Sequence, residues 1–185
     1  MTQYMPTGVA IGPNGDVYFV DGYGLNYVHR YDAAGNYLRS WGGTGTGNGQ
    51  FRTCHGILLD TRRNPPVLLI AGRENGRLQF FDLDGTFLSP LTGFDRPCGA
   101  HLKGTDVVIP ELNGRATILD NANSVITRLG TQPLAALRGN FNVDKPQWQD
   151  GIFIAPHAAR WDDDGNLYVR DWNFRGRVSK LRRMR

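Results

Sequence analysis

Two histidines stand at matching places in the chain, and imidazole is the side chain best suited to hold a metal or move a proton near neutral pH. The first lies in Phe51-Arg52-Thr53-Cys54-His55-Gly56-Ile57-Leu58-Leu59-Asp60. The second lies in Phe153-Ile154-Ala155-Pro156-His157-Ala158-Ala159-Arg160-Trp161-Asp162. Cys98 fills the same slot in a third copy, and Cys54 lies just before His55. A mixed Cys/His metal site is one reading of this pattern; two small buried residues at a crowded axis is the other. Tyr23 and Arg73 are the residues nearest in kind to catalytic groups. A tyrosine can exchange a proton with a substrate hydroxyl when a cation or metal stands beside it. An arginine can clamp a carboxylate through paired N–H groups. The plainer readings are a rim aromatic for Tyr23 and a pairing of Arg73 with Glu74 or Asp21. Glu111 aligns with both, and either tunes the site or makes a rim salt bridge; Asp171 falls at the corresponding place in the last repeat.

These residues need a scaffold that brings distant stretches together, and the chain offers a repeat. Four segments superpose: about 6–42, 52–93, 95–130 and 152–184, each about 33–42 residues long. Each holds runs of β-branched and aromatic residues bounded by turn pairs, and no stretch keeps a helical period. Asn14-Gly15, Asp84-Gly85 and Asp164-Gly165 provide the positive φ of tight hairpins, as does Ala34-Gly35-Asn36. The fold class expected is all-β: a β-propeller of four-stranded antiparallel blades, read as one partial propeller over 1–185. In such a blade the first strand leaves the axis and the second returns. The loop after the second strand therefore lies on the histidine face. Those loops are Asp21-Gly22-Tyr23, Gly72-Arg73-Glu74, Pro110-Glu111 and Asp171-Trp172-Asn173. His101 lies inside a first strand and is expected to pack between blades; His29 lies on a third strand and receives no role. The linker 131–151 breaks the period, and a loop of that length in a compact domain is usually functional or disordered. It enters on the histidine face and could cover a site there.

Composition narrows the partners. The chain has 185 residues, 24 of them glycine, and a net charge of +4. Much of that charge sits in Arg175, Arg177, Lys180, Arg182, Arg183 and Arg185. It reads as a solvated outer strand with a basic tail, because no nucleic-acid motif accompanies it. No apolar run nears the roughly 18 residues of a spanning helix. Met1-Thr2-Gln3-Tyr4-Met5-Pro6 does not read as a signal peptide. The two cysteines do not make a disulfide framework.

The repeats resemble the NHL class of six-bladed propellers. Asp21-Gly22-Tyr23, the run from Trp41-Gly42-Gly43 to Gly49-Gln50-Phe51, His55-Gly56 and Arg73-Glu74-Asn75-Gly76-Arg77 together resemble the peptidyl-α-hydroxyglycine α-amidating lyases. That resemblance implies a zinc ion on the propeller axis, held by histidines from alternate blades, and cleavage of a C-terminal hydroxyglycine to a peptide amide and glyoxylate. It makes His55 and His157 two of the metal ligands, Tyr23 the catalytic tyrosine and Arg73 a site arginine. The family's third histidine and an early arginine would fall before Met1. The chain therefore resembles the last four of six blades, from a parent that could be exported or periplasmic. Calcium is not carried over, because Ala158 stands where the family has an aspartate. The second function class is a non-catalytic propeller that binds a peptide, glycan or protein on the histidine face. Open sheet edges add a further expectation, self-association of the chain.

Overall fold

The computed structural model describes residues 4–184 and is all-β, a β-propeller fold of small antiparallel sheets. It divides into two compact units, the first ending at Gly99 and the second beginning at Ala100. Each unit holds two sheets, called blades here.

In the first unit, blade 1 is β1 (Gly8–Ile11), β2 (Val17–Val20), β3 (Tyr27–Tyr31) and β4 (Tyr37–Gly42), hydrogen-bonded in that order. Blade 2 is β5 (Cys54–Asp60), β6 (Val67–Gly72), β7 (Arg77–Phe81) and β8 (Phe87–Thr92), also in order. Sequential pairing follows from the turns. Gly15, Gly35 and Gly85 take φ near +86°, where a side chain would be strained. Asp32 and Asp82 accept two backbone N–H groups each across their turns, at 2.7–3.0 Å. Register puts Tyr18, Val20, Val28 and Trp41 on one face of blade 1. They pack with Phe51, Cys54, Leu68, Ile70 and Phe81 as one core. Alternation along each strand makes this possible, since every second residue points the same way.

In the second unit, blade 3 is β9 (His101–Lys103), β10 (Asp106–Glu111), β11 (Arg115–Leu119) and β12 (Val125–Leu129). Blade 4 is β13 (Pro156–Trp161), β14 (Leu167–Asp171) and β15 (Arg177–Leu181). It has three strands among the described residues, against the four expected of every blade. Val108 and Ala116 of blade 3 pack on Ala159, Leu167 and Val169 of blade 4, with Phe153 between. His101 lies against the Trp161 ring, and the Trp161 backbone N–H donates to His101 Nδ1 at 3.4 Å. Arg185 of the basic tail lies outside the described residues. Among the described residues no helix is long and apolar enough to cross a membrane.

Candidate functional site

The first unit gathers the residues around His55. Thr53 carries φ +57°, a rare conformation for a β-branched residue, and it turns the chain into β5. The carbonyl of Thr53 accepts from Arg73 N–H at 2.9 Å, and that of Arg52 accepts from Glu74 N–H at 3.0 Å. The loop after β6 is thereby sewn to the start of β5. Gly56 is obligatory: a Cβ there would stand 2.5 Å from the Cys98 carbonyl oxygen and from the Gly99 Cα. Gly22 is equally constrained, since a Cβ would fall 2.1 Å from the Cys54 carbonyl oxygen. The Asp-Gly-Tyr and His-Gly phrases thus exist because backbone passes too close for any side chain.

His55 is 5% exposed. Its Nδ1 lies 2.7 Å from the Cys98 carbonyl oxygen. A carbonyl only accepts, so Nδ1 carries the proton and Nε2 of the neutral ring carries the lone pair. This is how a metal-binding imidazole is usually held, with its other nitrogen donating to a fixed acceptor. Burial, the largest influence, pushes the His55 pKa down against the Cys98 hydrogen bond, and nearby Arg73 pushes the same way. The ring is therefore neutral and ready as a ligand. Cys98 is 2% exposed, and its donor atom lies within 4.8 Å of that of His55. Cys54 differs. Burial first, then the charge of Asp21, push its thiol up to about 12, and its Sγ contacts the Tyr27 carbonyl at 3.7 Å. It is a packing residue that stays protonated.

Beside His55 stands a polar chain. Tyr23 meets the imidazole edge-on, ring centres 5.8 Å apart. Arg73 Nη1 donates to the Tyr23 hydroxyl at 3.0 Å, and its guanidinium carbon lies 5.4 Å from the ring centre. Arg73 Nε donates to Glu74 at 3.0 Å, and Arg96 holds the same carboxylate through two N–H groups at 2.7 and 3.1 Å. The Glu74 carboxyl is held below its usual range: burial opposes this, but the Arg96 and Arg73 bonds prevail. Arg96, like Thr53, has positive φ, and each lies one or two residues before a site residue. Tyr23 is 45% exposed, so the buried histidine is bordered by a phenol open to solvent.

The second unit holds His157, Glu111 and Asp171. His157 packs on Trp172 at 4.5 Å between ring centres, and Trp172 meets Phe141 of the long loop at 6.3 Å. The loop is anchored there: Asn173 and the Trp148 indole both donate to the Val143 carbonyl at 3.1 Å, and Phe174 N–H donates to the Phe141 carbonyl. Loop 131–151 therefore reaches the aromatic residues beside His157. Glu111 lies inside β10, whereas the sequence pattern put Pro110-Glu111 in a loop. It is fully buried and binds Arg115 through both oxygens, at 2.7 and 2.8 Å, and also accepts from Thr117. Asp171 accepts Ile154 and Ala155 N–H groups at 3.0 and 2.8 Å. Burial pushes its pKa up, against those bonds and Arg177 at 3.8 Å. Both acids clamp their own blades. Sequence reasoning missed Arg96, which no repeat position marks; its partner Glu74 was the only clue.

No family model and no curated protein matches the sequence. Solved structures do match the fold. One is a catalytically inactive histidine-to-alanine variant of virginiamycin B lyase from Staphylococcus aureus with quinupristin: 12% identical, TM-score 0.65, covering 100% of this chain and 58% of that chain. Another is hydrazine synthase of Kuenenia stuttgartiensis: 10% identical, TM-score 0.68, covering 97% and 46%. A third is the computationally designed protein Ika4: 14% identical, TM-score 0.61, covering 97% and 91%. At these identities the likeness is one of fold, a β-propeller. The chain spans about half the length of the two natural proteins.

Proposed function

We propose that the protein is a metal-dependent lyase that breaks a carbon–nitrogen bond in a small peptide bearing a C-terminal α-hydroxyglycine, releasing glyoxylate. The observation that carries this reading is the cluster of His55, Tyr23 and Arg73, with the neutral imidazole fixed by the Cys98 carbonyl. A lyase on the same fold, virginiamycin B lyase, supports it; that enzyme is catalytically inactive in its histidine-to-alanine variant.

His55 and Cys98 would hold the metal; the resemblance of the repeats assigns His157 as a further ligand. The His55 and Cys98 donor atoms lie within 4.8 Å of each other, and zinc accepts such N and S ligands. Zinc in such a set supplies Lewis-acid polarisation of an oxygen. The protein's own groups do the rest. Arg73 keeps N–H groups beyond the two given to Tyr23 and Glu74, and these meet the substrate carboxylate. Because Tyr23 receives the Arg73 N–H, its own O–H is left to exchange a proton with the substrate. The hydroxyl proton departs as the carbonyl of glyoxylate forms. The carbon–nitrogen bond breaks, and the amide nitrogen takes up a proton.

The test is glyoxylate release from a hydroxyglycine peptide by the zinc-loaded protein, with metal content measured on the same sample. Stoichiometric metal with glyoxylate release supports the reading. Peptide binding without glyoxylate would instead make this a recognition propeller.

A further inference from the structure

Two sheet faces lie open to solvent, and their chemistries differ. On blade 1, register places Val9, Phe19, His29 and Ser40 in one row and Ile11, Val17, Tyr31 and Tyr37 in the next. Val9 is 62% exposed, Ile11 53% and Tyr37 58%. Tyr4 lies edge-on to both Phe19 and His29, and Phe19 stacks on Tyr31 at 5.7 Å. These two rows contain no carboxylate, lysine or arginine. Their histidine is held neutral by burial, and its Nε2 has no hydrogen-bond partner among the described residues. Exposed aliphatic and aromatic residues contiguous over one sheet are the mark of a covered surface. The opposite face of the same blade already packs against blade 2 in this way.

On blade 4 the outward rows are Arg160, Tyr168 and Lys180, then Ala158, Arg170 and Val178. Apart from Ala158 these side chains are exposed. Lys180 lies over the Tyr168 ring at 5.1 Å, so a cation on an aromatic face is an arrangement this surface already uses. Guanidinium and ammonium groups are drawn to the faces of tyrosine and phenylalanine, and arginine stacks on them flat. A neutral aromatic sheet and a basic sheet are therefore complementary. Two basic faces repel.

We propose that the blade 1 face carrying Val9, Ile11, Phe19 and Tyr37 docks on the blade 4 face carrying Arg160, Arg170 and Lys180 of a second copy of this chain. The contact is head to tail, so it closes into a ring or continues as a filament according to the rotation between copies. It is independent of the lyase reading, since none of these residues is assigned a role in it.

Light scattering of the purified chain across a concentration series tests it. The wild-type chain should assemble into species of two or more copies. Val9→Lys with Ile11→Lys places cations against the basic face and should raise the dissociation constant about tenfold or more. Arg160→Glu with Arg170→Glu should do the same, and joining all four substitutions in one chain should restore assembly. Where the lysine pair unfolds the chain, Val9→Ser with Ile11→Ser removes the apolar area without charge and should weaken assembly. A chain that remains single at every concentration overturns the proposal. So does an assembly that no pair weakens, or one that the four-fold variant fails to restore.

Discussion

The two histidines of the shared repeat slot begin strands of the same kind and end in different company. His55 borders a hydrogen-bonded chain of Tyr23, Arg73, Glu74 and Arg96. His157 borders Trp172 and, through it, Phe141 of the long loop. The strand sets where a histidine starts; the loop after the second strand sets what surrounds it. In the first unit that loop supplies a phenol and a cation, which suit proton exchange and anion binding. In the second it supplies an indole, which suits packing. The same histidine slot is thus chemically polar in one unit and aromatic in the other.

The sharpest way to break this contrast is to remove the polar side. Tyr23→Phe should lower glyoxylate release by about a hundredfold or more, the usual scale of a lost proton-transfer group, with little loss of stability because the ring is half-exposed. An unchanged rate would make Tyr23 a rim aromatic. Next in size is the buried acid of the other unit. Glu111→Gln should cost about 3 kcal/mol in chemical denaturation, since it leaves Arg115 without its carboxylate in a buried setting. Glu74→Gln, the open counterpart, should cost only about 0.5–1 kcal/mol, because that carboxylate keeps a third of its side-chain surface in water. Equal costs would erase the distinction between a buried clamp and an open network.

The smallest effect is on pH. The His55 pKa is lowered in the folded state, so its contribution to stability is full above the unfolded value of about 6.5. It is lost as pH falls from there toward the folded value. His29 and His101 are lowered by burial too. The informative quantity is therefore the difference between wild type and His55→Gln, in denaturation midpoints at pH 7.5 and 5.5. The wild type should lose more on acidification. Glu74 acts in the same direction at lower pH: its stabilisation is present above about 4.5 and lost as pH falls through its depressed folded value.

Much of the scaffold was legible because its signals are local. A glycine at φ near +86° announces its turn, and alternation of apolar residues announces a strand face. The cluster was legible in part. Repeat position pointed to Tyr23, Arg73 and His55 together, but it left Cys54 and Cys98 both open as metal ligands or packing residues. Geometry separates them: the Cys98 donor atom lies within 4.8 Å of that of His55, whereas the Cys54 Sγ contacts the Tyr27 carbonyl. Glu111 and Asp171 looked like rim groups because their place in the repeat is that of Tyr23 and Arg73. Their side chains turn inward, to Arg115 and to the Ile154 and Ala155 amides. No sequence period encodes that choice, since an acid facing in and one facing out occupy the same register.

Local signals along the chain set the all-β blades, their hairpins and the histidine slot, because strand alternation and turn chemistry act over a few residues. Tertiary structure decided which nitrogen of His55 carries the proton, which arginine holds Glu74, and which acids are structural. Those outcomes depend on approaches across tens of residues, such as the Cys98 carbonyl at His55 Nδ1, which exist only once the blades have packed.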